Sequence, residues 1–191
     1  MRILRKLMHA ALAIVPMAGW LFEPWAALAL AGLLVLGSLA LEVGRRLWPW
    51  IDRTLWGRAP GLFRAWEQQG ILGSTWFVAS MLAMLLFFGQ NVGGLAVLFL
   101  ALGDPAAEMA GRRWGRPGVR KTWPGSVACL MVCLATATAV ALLGLVHPVV
   151  AVAGAVAAAA AERWSPPPTD NIWMPLFSAL VMAACHQLLM V

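Results

Sequence analysis

Residues 102–126 read LGDPAAEMAGRRWGRPGVRKTWPGS, and this stretch decides how the chain folds. An apolar run leads into it, two acids stand near its start, and Arg112, Arg113, Arg116, Arg120 and Lys121 follow, spaced by glycines. Counted from Val92, a helix of about 20 residues, enough to cross a bilayer, ends near Gly111. Asp104 and Glu108 then lie inside or just under the membrane surface, where carboxylates are costly, face protein or water, and mark function by default. The glycines let backbone N–H groups approach a ligand closely. Acids suited to a divalent metal beside cations suited to phosphate point to nucleotide chemistry at a membrane surface.

Composition around this stretch fits a membrane protein rather than a soluble domain. The 191 residues are 62% hydrophobic and 12% charged, with a mean hydropathy of +0.80. Apolar runs occupy residues 7–22, 25–41, 71–89, 92–111, 126–146, 148–161 and 172–191. The expected architecture is an all-α integral membrane protein, one domain over residues 1–191, built as a bundle of about seven transmembrane helices. The sixth run is short enough to be a re-entrant or buried core helix instead of a full span. Residues 42–69 are polar enough to lie outside the hydrocarbon; Leu47, Trp50, Ile51, Leu55, Leu62 and Trp66 suit an interfacial segment, which Pro49 and Pro60 interrupt.

Charge fixes the orientation. With the N-terminus cytoplasmic and seven spans, all fourteen Lys and Arg residues fall on the cytoplasmic side, and only Glu23 and His147 face the other. The expected location is the inner, cytoplasmic membrane, with the site on its cytoplasmic face. The isoelectric point near 10.6 is then explained by topology and anionic headgroups, with no nucleic-acid partner. Trp20 and Trp25 fit the outer interface, and Trp48, Trp114, Trp123 and Trp173 the inner one. A secretory signal is the lesser reading of the first thirty residues, because its cleavage site falls inside the second apolar run. Cys129, Cys133 and Cys185 lack metal spacing and read as small buried hydrophobes.

No hydrolase elbow, Walker lysine loop, H-E-x-x-H helix or dinucleotide fingerprint occurs. Polar clusters recur instead on the expected cytoplasmic side: Arg5-Lys6 with His9; Glu42 with Arg45 and Arg46; Glu67 leading into Gly73-Ser74-Thr75; residues 103–126; and Glu162 with Asp170-Asn171. Arg2, Arg53, Arg58, Arg64 and Arg163 read as solvated flanks. Acids at the ends of apolar runs need partners.

In order and spacing, R-K-x-x-H, E-x-x-R, E before G-S-T-W, G-D-P-A-A-x-x-x-G-R-R-W-G, K-T-W-P-G-S and E followed by T-D-N-I-W-M-P resemble the CTP-dependent lipid kinase family. That family includes dolichol kinase, phytol kinase and a CTP-dependent diacylglycerol kinase, and is distantly related to phosphatidate cytidylyltransferases. The resemblance implies a membrane kinase that moves the γ-phosphate of a nucleoside triphosphate, CTP preferred, to a lipid alcohol such as a polyprenol, a phytol-like prenol or diacylglycerol. It also implies magnesium or another divalent metal. Two departures, Glu108 in place of a small residue or Asp and Pro124 in place of an acid, bear on substrate choice more than on chemistry. A cytidylyltransferase-like CTP transferase, a transporter and a scaffold are the alternatives.

Roles follow from chemistry. Asp104, expected at a helix break between Gly103 and Pro105, caps the next helix or ligates the metal. Asn171 is a second metal ligand or a nucleotide contact. Lys121 and Arg120 suit transferring phosphate, with Thr122 and Ser126 as hydroxyl donors. The rest of the nucleotide- or phosphate-binding set is Gly103, Arg112, Arg113, Gly115, Gly125, Arg5 and Lys6, with His9 either a phosphate contact or a structural histidine. Glu67, Glu42 and Asp170 are unranked candidates to orient the lipid hydroxyl. Arg45, Glu108 and Glu162 support the site.

Overall fold

Proline sets the first bend of the chain. In the computed structural model, which describes residues 2–58, 65–116, 118–119, 121–165 and 170–190, the first apolar run is two helices, α1 (Arg2–Ala11) and α2 (Ile14–Leu21). Pro16 has no N–H for the carbonyl of Leu12 and its ring crowds that carbonyl, so the helix breaks at residues 12 and 13. The expected single first helix is therefore corrected to a jointed pair.

Pro24 then opens α3 (Pro24–Leu47), which runs six residues past the expected end of the second run and so carries Glu42 and Arg45 on a membrane-length helix. It stops where Trp48 precedes Pro49, a position that disfavours helical backbone. Its outward face is apolar, with Leu33 and Leu36 each 66% exposed, as suits contact with lipid. Helix α4 (Pro49–Arg58) buries none of its residues, in keeping with an interfacial segment. A short 3-10 turn, Ala65–Gln68, leads to α5 (Gly73–Phe88).

From Gly73 to Trp114 the backbone is helical for 42 residues, about twice what a bilayer needs, but it is not one rod. Gly89 has φ +72°, a left-handed conformation that glycine alone adopts freely, and the chain doubles back there. Gly93 packs so closely on the backbone of Met84 that no side chain fits. After the π-type turn Gly89–Gly93 come α6 (Gly94–Leu98), a second π-type segment Phe99–Gly103, and α7 (Asp104–Trp114). Residues 93–101 are all buried, which makes this the central helical segment of the bundle.

Three helices complete the fold: α8 (Trp123–Leu142), α9 (Pro148–Trp164) and α10 (Asp170–Leu189). The sixth run is the alanine-rich α9, a 17-residue helix with nine buried positions, packed chiefly between α8 and α10. Four helical stretches, Pro24–Leu47, Gly73–Trp114, Trp123–Leu142 and Asn171–Leu189, are long and apolar enough to cross a membrane. One continuous core runs from Ala13 to Met182, and no strand occurs among the described residues.

The two ends of the bundle differ. At one, Trp20 Nε1 donates to Asn91 Oδ1 at 3.0 Å and Gln90 Nε2 donates to the Pro16 carbonyl at 2.7 Å, tying α2 to the turn at Gly89. The opposite end gathers the acids and cations.

Candidate active site

The centre of the charged end is the start of α7. Asp104 was expected to cap a helix after a break, but its φ of −63° and ψ of −46° lie inside a continuous helix. The π-type widening over Phe99–Gly103 accommodates Pro105, whose ring would otherwise crowd the carbonyl one turn back. Asp104 is thus held within the helix, half-buried, one turn before Glu108.

Around it, α1 supplies cations. Arg5 Nη2 donates to Glu108 Oε2 at 3.2 Å, Lys6 Nζ lies 3.9 Å from Glu108 Oε1, and Arg112 pairs with the same carboxylate one turn along α7. Lys6 is 8% exposed. Burial pulls its ammonium below the usual lysine range; Glu108 opposes this most, Arg112 and Arg5 add to it, and Asp104 opposes it further. An arriving phosphate would favour its charged form. His9 packs edge-on to Phe77 with ring centres 4.9 Å apart, so it joins α1 to α5.

The start of α8 closes another side. Thr122, expected as a phosphate donor, caps this helix, its Oγ1 accepting from Gly125 N at 3.3 Å. Lys121 Nζ lies 2.6 Å from Glu162 Oε1 of α9, with 17% and 6% of the two side chains exposed. Glu162 Oε2 is buried with no hydrogen-bond partner among the described residues. Arg163, read from sequence as a solvated flank, is corrected: its Nη1 donates to Ser126 Oγ at 3.3 Å, and its guanidinium stacks 3.9 Å from the centre of the Trp123 ring. Trp123 carries no charge pattern, so sequence reasoning placed it only in the aromatic belt.

The glycines of this region answer to packing. A Cβ on Gly103 would lie 2.8 Å from Cys133 Sγ and 3.0 Å from Met174 Cε; one on Gly125 would lie 2.7 Å from the Ala107 carbonyl, and Gly115 abuts Gly111 and Thr122. The sulfurs of Cys129 and Cys133 and the terminal methyl of Met174 form a wall behind Gly103, for which the sequence holds no signal. Arg113 and Arg116 are exposed at the rim. Arg120 and the side chain of Asp170 fall outside the described residues.

A third group braces the start of α5. Glu42 Oε1 accepts from Leu72 N at 2.6 Å and Glu67 Oε1 from Gly73 N at 2.8 Å, so both acids occupy backbone donors that a helix start leaves open. Arg45 clamps the other Glu42 oxygen, Nε at 2.8 Å and Nη2 at 2.7 Å, and donates to the Glu67 and Gln68 carbonyls at 3.3 Å and to that of Gly70. Asn171 Nδ2 donates to the Gly73 carbonyl at 2.9 Å, which attaches α10 to the same corner. Arg45→Lys is expected to cost about 1.5–3 kcal/mol, since lysine cannot reproduce the fork to a carboxylate and three carbonyls. Thermal unfolding in detergent checks this, and an unchanged midpoint would contradict it.

Among the described residues, no three of His, Cys, Asp and Glu converge as a metal set. Magnesium does not need one: it takes one or two carboxylates, waters and the substrate's own phosphates. Asp104, a hard oxygen donor one helical turn before Glu108, which gathers Arg5, Lys6 and Arg112, fits that requirement.

Fold and site together define a helical membrane protein with a charged, partly buried site at one end. Over 196 aligned residues the chain is 31% identical to the phytol kinase of Synechocystis sp. (strain ATCC 27184 / PCC 6803 / Kazusa), covering 93% of this chain and 76% of that protein. The chain belongs to the CTP-dependent lipid kinase family, as its motifs indicate, and the relationship supports a lipid kinase. No protein-family model matches it, and no solved structure does.

Proposed function

We propose that this protein, acting as a single catalytic domain, transfers the γ-phosphate of a nucleoside triphosphate, preferably CTP, to a membrane-resident alcohol with a prenol-like chain. The observation that carries this is Asp104 at the start of α7, a helix that meets α1 with its Lys6 cluster and packs on α8, in a chain whose relative is a phytol kinase. Lys6, Arg5 and Arg112 on one side and Lys121 on the other neutralise the triphosphate and hold it in line. Phosphoryl transfer asks mainly for such positioning and charge stabilisation. Asp104, with Asn171 as a second candidate ligand, would hold a divalent cation; when bound, that ion neutralises charge on the phosphate oxygens. The apolar outer surface of the bundle lets the alcohol approach from within the bilayer.

The topology that goes with this reading has seven spans, the N-terminus in the cytoplasm and the site at the cytoplasmic face of the inner membrane. Its support is the gathering at one end of every described ion pair. In a cysteine-free background Arg116→Cys is expected to react with an impermeant thiol reagent only after cells are opened; labelling of intact cells would contradict this orientation.

Radiolabelled CTP, ATP and GTP, each offered with a polyprenol, phytol or diacylglycerol to purified protein, tests the reaction. Labelled prenyl phosphate from CTP is the expected product. No labelled lipid under any pairing would refute the kinase assignment.

A further inference from the structure

We infer that Glu162 is the group that orients the lipid alcohol and takes its proton, an inference that rests on the kinase reading above. Sequence offers Glu42, Glu67 and Asp170 for this task, and Glu162 stands with them at the charged end. The structure separates three of them by what their oxygens do. Both Glu42 oxygens are engaged, one by Leu72 N and one by the Arg45 fork. Glu67 accepts from Gly73 N at the start of α5. Glu162 is different: it is 5% exposed, one oxygen meets Lys121 at 2.6 Å, and the other is buried with no hydrogen-bond partner among the described residues.

A buried carboxylate oxygen left without a donor is costly, and native proteins keep such atoms where a ligand completes them. The donor it lacks is an O–H or N–H group, and the lipid alcohol brings one. Its surroundings suit the step. Glu162 lies near the end of α9, which packs on α8, and α8 packs in turn on α7, the helix that carries Asp104. Lys121 holds the other oxygen, Oε1, and so leaves Oε2 to face the alcohol. Arg163, the next residue, is pinned to Ser126 and Trp123, which fixes the end of α9 against the start of α8.

The step balances without further reagents. The alcohol oxygen bonds to the γ-phosphorus, the bond from that phosphorus to the β–γ bridging oxygen breaks, and its electron pair leaves with the nucleoside diphosphate. The alcohol proton passes to Glu162 Oε2. Positioned proton transfer of this kind contributes about 10²–10⁴-fold to rate.

The test is Glu162→Gln in the full-length protein, with kcat measured on phytol and CTP, and equilibrium binding of CTP with magnesium measured in parallel. Glutamine still accepts from Lys121, so the expected result is a folded protein with kcat lowered about 10²–10⁴-fold and a CTP Kd within about twofold of wild type. Glu162→Asp, which keeps the charge but withdraws it by one methylene, is expected to lose at least about tenfold in kcat, also with CTP binding retained; it serves where the glutamine variant does not fold. Activity within about threefold of wild type in a folded variant overturns the inference. So does a CTP Kd that rises about tenfold or more, because Glu162 would then serve only to hold Lys121. A wild-type protein that labels no lipid overturns the kinase reading, and this inference with it; an active Glu162→Gln beside an active wild type overturns this inference alone.

Discussion

Asp104→Asn is expected to fold normally and to lose at least about a thousandfold in turnover. Each ~1.4 kcal/mol of lost transition-state stabilisation is tenfold in rate, and a bound metal supplies several kcal/mol. Asparagine keeps the volume, and because Asp104 lies within a continuous helix and not at its start, no cap is lost. Thermal unfolding in detergent should therefore match wild type. Raising magnesium should recover part of the activity, as a weakened ligand set fills at higher metal. A well-folded variant within about threefold of wild-type activity would remove Asp104 from the metal role and move the site off α7.

The second large effect is at Lys121. Lys121→Met removes one partner of a buried pair and strands the Glu162 carboxylate, which costs about 3–5 kcal/mol of stability. It also removes a charge from the phosphate side, for which a loss of about 10²–10³-fold in kcat/KM for CTP is expected. The two effects separate in the double variant Lys121→Met/Glu162→Gln, where no uncompensated charge remains. Its unfolding midpoint should return toward wild type while activity stays low. Should Lys121→Met unfold at the wild-type temperature, the pair is not buried as described here.

Hydropathy made much of the fold legible, because an apolar run of bilayer length has few other uses. Each of the seven runs lies on helix, and the gap between residues 89 and 92 marks the turn. The bend before Pro16 and the π-type segment before Asp104 were not legible in the same way: both keep the apolar, helical pattern and differ only in which carbonyl each N–H meets. That is why Asp104 was read as following a break. Within the site, charge and spacing found the residues but not their partners. Glu42 and Glu67 look alike in sequence to Glu162, yet two brace the start of α5 and one keeps an oxygen without a partner. The Lys121–Glu162 pair spans 41 residues and two helices, a separation at which no local periodicity carries information.

The double-back at Gly89 also bears on how the chain enters the membrane. Synthesis is vectorial, so the acids of α7 emerge after Arg5 and Lys6 have been laid down, and the hairpin from Gly73 to Trp114 brings Glu108 to cations already waiting for it. Glu42 likewise finds Arg45 on its own helix. Lys121 likewise waits for a partner made later, until α9 arrives. A nascent chain stalled between α8 and α9 would hold an unmatched ammonium at the membrane surface, so the arrival of Glu162 closes the last of these ion pairs before α10 completes the bundle.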